Sequence, residues 1–222
     1  MKKIILIAFV MISQLNFAQV TKNLGDFDAV KVFDMLNVKL IPADENKIVI
    51  TGKRENEVEV LTKNGELKLR MPFPKLLSGD EITIKLYFKN IESIDASEGS
   101  YVSCDQIFKQ TVIDLNAKEG SEINISLDVE KVNSKANSGG IINIDGSATN
   151  QNCTITSGGT LIASELHTAQ TTISVSAGGK AEIYATTVVD AKVKAGGSIY
   201  IYGKPKQINQ QTFLGGTIIE KE

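Results

Sequence analysis

The side chains able to do acid–base, nucleophilic or metal chemistry are sparse in this 222-residue chain: one histidine, His167, two cysteines, Cys104 and Cys153, and scattered carboxylates. A lone histidine precludes a His-rich metal site and leaves the cysteines and carboxylates as the only other ligands, so no metal or cofactor is expected. A nucleophilic triad would need His167 beside a serine and an orienting acid, and the nucleophile elbow Gly-x-Ser-x-Gly does not occur. His167 therefore reads as an exposed or edge residue. More abundant are hydroxyls and amides at alternating positions, among them Asn124, Ser126, Asn143, Thr154, Thr172 and Ser174, with Lys192, Lys194, Tyr200 and Tyr202 further on. Such residues can form hydrogen-bonding ladders, and Tyr200 and Tyr202 are the candidate stacking platforms for a ligand.

What must position these groups is a repeat. A small-residue and glycine signature recurs as Ser97-Glu98-Gly99-Ser100, Lys118-Glu119-Gly120-Ser121, Ser138-Gly139-Gly140, Ser157-Gly158-Gly159, Ala177-Gly178-Gly179, Ala195-Gly196-Gly197 and Leu214-Gly215-Gly216. Taking Gly99, Gly120, Gly140, Gly159, Gly179, Gly197 and Gly216 as equivalent, the spacings are 21, 20, 19, 20, 18 and 19. A period this narrow marks a solenoid. Between the glycines the apolar residues alternate with period two, as in Ile123, Ile125, Leu127 and Val129, which means strands with one buried face. The expected fold is all-β: a parallel β-helix of coils about 20 residues long, with glycine supplying positive φ or close backbone approach at the corners.

The same register assigns the remaining chemistry. Counting back from the glycine pair, Cys153 matches Ile173 and Ala191, while Cys104, counted forward, matches Ile125. Both cysteines are expected inside the coil as small apolar residues, not joined in a disulfide. Glycoside hydrolysis needs two carboxylates about 5–10 Å apart. Asp114, Asp128, Asp145 and Asp190 fall at offsets 15, 8, 5 and 11 from their glycines, which scatters them around the coil. The calcium-binding repeat Gly-Gly-x-Gly-x-Asp is also missing.

Residues 19–96 lack the glycine repeat but carry strand-like runs at Phe27–Phe33, Leu36–Ile41, Lys47–Thr51, Glu57–Thr62, Glu66–Met71 and Glu81–Phe88. Lys63-Asn64-Gly65-Glu66 is a hairpin signal, because Asn-Gly suits a type I′ turn. This part is expected to cover the first coil of the solenoid at 97–222, the two forming one continuous domain. Residues 1–18 read as a signal peptide: Lys2-Lys3, an apolar run Ile4–Ile12 and a cleavage site after Ala18. That run is too short to span a bilayer, so the mature chain carries no transmembrane anchor. Without Lys2 and Lys3 the balance is 22 basic to 26 acidic residues, about −4, and there is no basic stripe for nucleic acid.

In the order of its segments the chain resembles the GIN-type head domain family, described as an autotransporter adhesin and common in exported proteins of Bacteroidetes. The resemblance rests on Leu24-Gly25-Asp26-Phe27-Asp28-Ala29-Val30, Lys47-Ile48-Val49-Ile50-Thr51-Gly52, Asn64-Gly65-Glu66-Leu67, the Gly-Gly coils and Ile201-Tyr202-Gly203-Lys204-Pro205. It implies an exported β-helical domain with an adhesive role and supplies no catalytic residues. The expected function is a non-catalytic binding or adhesion-type module that meets a protein or glycan in the periplasm, at the outer membrane surface or outside the cell. The alternatives are a carbohydrate-active β-helix enzyme and an envelope-associated structural protein without a small ligand.

Overall fold

The computed structural model describes residues 19–221; the expected signal peptide lies outside them. The strands in chain order are β1 (Gln19–Asn23), β2 (Ala29–Val32), β3 (Asn37–Pro42), β4 (Lys47–Gly52), β5 (Glu59–Lys63), β6 (Glu66–Arg70), β7 (Ile82–Phe88) and β8 (Ser93–Ala96). Five long strands follow, each bent through most of a coil: β9 (Tyr101–Lys118), β10 (Glu122–Asn137), β11 (Ile141–Ile155), β12 (Thr160–Ser176) and β13 (Lys180–Lys194). The chain closes with β14 (Ser198–Tyr202), β15 (Gln207–Phe213) and β16 (Thr217–Glu220). All six strands expected between residues 27 and 88 are present. The long strands pair in parallel with their neighbours, β9 through β13 in chain order, so the fold is the expected all-β parallel solenoid.

One corner recurs in every coil, and its conformation explains the glycine signature. The residue before the first glycine, from Glu98 through Ser138 and Ala177 to Leu214, has φ of 48–56°, and the glycine itself, from Gly99 to Gly215, has φ of 71–81°. Two successive left-handed residues closed by a fourth-to-first hydrogen bond (Gly140 N–H to Asn137 O, 2.8 Å) form a turn of the type I′ kind, which glycine fits without strain at its second central place. The glycine that follows has a different reason. A Cβ at Gly140 would lie 2.2 Å from the carbonyl oxygen of Ala117 in the preceding coil, and one at Gly159 would lie 2.4 Å from that of Ala136. In the first two coils this place holds serine instead. Ser121 Oγ donates to Ala96 O (2.7 Å) and accepts from Lys118 N–H (3.0 Å), tying corner to corner. Gly99 and Gly120 are therefore equivalent to the first glycine of the later pairs, not to the second as expected above.

Parallel pairing does not stop at the first glycine corner. On the strand before the corner, the inward pairs Leu67/Leu69, Val30/Val32, Ile94/Ala96 and Leu115/Ala117 stack from β6 to β2 to β8 to β9. On the strand after it, β7 pairs with β3 and β3 with β9. The N-terminal part thus contributes rungs of its own, and the coil made of β6 and β7 lies beyond the one made of β2 and β3. Its outer edge is covered by antiparallel strands, β4 on β7, β1 on β4 and β5 on β6. The β5–β6 hairpin turns at Asn64 and Gly65, both at positive φ as expected. Covering a parallel edge in this way blocks a template for intermolecular pairing.

The corner between β2 and β3 contains no glycine. Asp34 and Met35 take the two left-handed places (φ 60° and 63°), at a cost of about 1–2 kcal/mol for a residue bearing a Cβ. Asp34 is fully buried, and its carboxylate accepts the amides of Met71 (2.9 Å), at the start of the 71–81 loop, and of Leu77 (3.0 Å), within it. The carboxylate offsets the strain by fixing that loop.

Candidate functional site

A straight channel lies on the outer face of the strand segment that precedes the corner. One wall is the row Asp114, Asn133, Asn152, Thr172, Asp190 and Asn209, in register from β9 through β13 to β15. The facing row, two residues on, is Asn116, Lys135, Thr154, Ser174, Lys192 and Gln211. Between them the floor is the backbone of Leu115, Ser134, Cys153, Ile173 and Ala191, whose side chains point into the core. Period-two alternation produces this arrangement: when the middle residue is buried, its two neighbours must project outward as parallel walls.

Hydrogen bonds between coils hold the first wall rigid. Asn133 Nδ2 donates to Asp114 Oδ1 (2.6 Å), Asn152 Nδ2 to Asn133 Oδ1 (3.2 Å), and Asn209 Nδ2 to Asp190 Oδ1 (2.7 Å). Each amide relay is anchored on a carboxylate, which fixes the orientation of the amides. The second N–H of each asparagine, Asn152 Oδ1 and the hydroxyls of Thr154, Thr172 and Ser174 have no hydrogen-bond partner among the described residues. The channel holds about 1090 Å³. Its five steps of about 4.8 Å make it about 24 Å long.

The register corrects in part the expectation that the acids are scattered: Asp128 and Asp145 stand outside the channel rows, but the other two align. Asp114 and Asp190 share a wall, because every residue of that row lies six places before a corner glycine (Gly120, Gly139, Gly158, Gly178, Gly196 and Gly215). Forward counting hid this, since in several coils register shifts lie between the glycine and the row, at Ile125/Leu127, Asn143/Gly146, Ala163/His167 and Thr168/Gln170. The two carboxylates are nonetheless four coil steps apart, about 19 Å, well beyond the separation that glycoside hydrolysis needs.

Tyr200 and Tyr202 lie elsewhere, half-buried on the segment after the corner. The Tyr200 ring is contacted by Lys180 Nζ at 5.5 Å and Lys221 Nζ at 5.1 Å, and Lys180 is itself paired to Glu182 at 2.8 Å. That hydrogen bond raises the Lys180 pKa. His167 is exposed, as expected, with its ring edge-on to Tyr184 at 4.3 Å between centroids. Register places it beside Ser147, with Asp128 on the far side. Ser147 Oγ donates to Asp128 Oδ1 (3.2 Å), so the acid holds the serine and not the histidine, the reverse of a catalytic relay. Cys104 and Cys153 are buried free thiols on different strand segments of the coil. Burial pushes both thiols up, which keeps them protonated and inert. Among the described residues no group of three or more His, Cys, Asp or Glu side chains is arranged to hold a metal ion, and no helix is long and apolar enough to cross a membrane.

Residues 26–205 match the family described as "Putative auto-transporter adhesin, head GIN domain". The chain is similar to solved structures of a protein described as a putative adhesin from Bacteroides fragilis (19% identity, TM-score 0.85) and of another from Parabacteroides distasonis (19%, 0.76); each alignment covers 92% of this chain and 96% of the other. A second Parabacteroides distasonis protein, described as a putative lipid binding protein, aligns at 14% identity and TM-score 0.65, over 93% of this chain and 98% of its own. No curated protein matches. The chain belongs to the auto-transporter adhesin head GIN domain family.

Proposed function

We propose that this member of the adhesin-head family is an exported, non-catalytic binding module whose ligand lies along the channel between the Asp114 and Asn116 rows. The observation that carries the reading is the continuity of the two walls over six coils with uncommitted hydrogen-bonding groups, held in place by Asn–Asp relays. Repetition at one spacing suits a ligand that is itself repetitive, which is what an adhesive surface meets on a cell or a matrix. Two features support the absence of catalysis: the wide separation of Asp114 and Asp190, and the Asp128–Ser147–His167 order, in which the acid does not orient the histidine. Family membership and the signal-peptide pattern of residues 1–18 support export.

The test is retention of whole bacterial cells by beads carrying the mature protein. Thr172→Arg, which places a long side chain across the middle of the channel, abolishes retention, whereas Tyr200→Ala and Tyr202→Ala leave it unchanged. Retention that survives Thr172→Arg and fails with the tyrosine variants would move the site to the other face.

A further inference from the structure

We infer that the occupant of the channel is an uncharged polysaccharide lying parallel to the solenoid axis, one sugar ring to a coil; this rests on the channel being the ligand surface. Direction is the first reason. The channel crosses its floor strands at right angles, so a polypeptide laid in it cannot add to the sheet, and its amides and carbonyls would lack the backbone partners that make strand addition favourable. An extended peptide also advances about 3.3 Å per residue, out of step with walls that repeat every 4.8 Å or so. A pyranose unit in an extended chain advances by close to one coil step, so each ring meets the same pair of wall positions.

Composition is the second reason. Hydroxyl-rich chains are held by side-chain amides and hydroxyls, which both donate and accept, and by carboxylates, which accept, and those are the groups of the two walls. The fixed charges within the walls cancel: Asp114 and Asp190 on one side, Lys135 and Lys192 on the other. An anionic or cationic polymer would gain from one pair and lose to the other. Cross-section is the third reason: about 1090 Å³ over about 24 Å leaves about 45 Å², a groove on the scale of one extended chain.

The experiment is calorimetric titration of the mature protein with cello-, laminari-, malto- and manno-oligosaccharides of two to eight residues, alongside Ser/Thr-rich peptides of matching length. At least one sugar series binds. Its affinity rises about tenfold or more from trimer to hexamer and changes by less than about twofold from hexamer to octamer, because six coils line the channel. Asn152→Ala and Thr172→Ala each weaken the hexamer by about three- to tenfold, as expected for one or two lost hydrogen bonds. Failure of every sugar series to bind overturns the inference. Peptide binding that is sensitive to Thr172→Arg also overturns it but leaves the channel as the site. Sugar binding that is lost in Tyr200→Ala and indifferent to Thr172→Arg overturns both readings.

Discussion

The corner of each coil and the outer face six residues before it are built to opposite specifications. At the corner, two left-handed residues are followed by a position where, at Gly140 and Gly159, a Cβ would meet the backbone of the preceding coil, so side-chain identity there is set by steric exclusion. On the outer face the backbone is ordinary strand, the buried neighbour sets only direction, and the sequence is free to vary within polar types. If the channel is the ligand surface, as proposed above, such a division leaves stability to the corner and recognition to the face. It also explains why the corner recurs almost unchanged from Gly99 to Gly215 while the wall runs through Asp, Asn, Asn, Thr, Asp and Asn.

The sharpest way to break that comparison is a pair of adjacent substitutions. Gly140→Ala forces a Cβ onto the carbonyl of Ala117 and is expected to cost roughly 3 kcal/mol or more. Gly139→Ala meets nothing within 4 Å and carries only the left-handed penalty of about 1 kcal/mol. Chemical denaturation of both variants measures the difference, and equal losses would show that the backbone relaxes to accommodate a Cβ at Gly140 and that its clash does not set the residue.

Asp34→Ala removes a buried carboxylate that accepts two amides and leaves a non-glycine left-handed residue in place; a loss of about 2–4 kcal/mol in the same assay is expected. Smaller still is the effect of Glu98, next in the corner stack. Burial, and then the charge of Asp34, raise the Glu98 carboxyl above its ordinary range. A carboxyl whose folded pKa is raised favours the folded state at acid pH and loses that contribution as pH rises through the raised value. Glu98→Gln therefore raises the melting temperature slightly at pH 7, and the gain disappears as pH falls toward the unfolded value of about 4.3. A melting temperature that rises equally at pH 4 and pH 7 would assign the gain to packing. On the face, Asn152→Ala is expected to change stability by less than about 0.5 kcal/mol, so its effect on binding can be read without interference.

Much of this architecture was legible because Gly-Gly pairs and period-two alternation are strong local signals. Counting back from the glycines placed Cys153 correctly, since no register shift intervenes. Three features were not legible. Ser100 and Ser121 occupy the place of the second glycine and moved the early register by one. The rungs at Ala29–Val32 and Ser93–Ala96 carry no glycine signature, and the β6–β7 coil lies beyond the β2–β3 coil, an order that periodicity does not reveal. The channel wall emerges only when residues are counted backward from each corner, because the shifts near Ile125, Asn143 and Ala163 change the forward distance from coil to coil. Tyr200 and Tyr202 stood out as aromatics in a chain with few, but Lys180 and Lys221 already contact the Tyr200 ring.

The most direct test of the central claim is an amide chemical-shift map of the mature protein, recorded with the hexasaccharide that binds tightest. The channel account predicts that the largest shifts follow Asp114–Asn116, Asn133–Lys135, Asn152–Thr154, Thr172–Ser174 and Asp190–Lys192, one short stretch in each coil. Shifts confined to Ser198–Tyr202 and Lys180–Glu182 would contradict it.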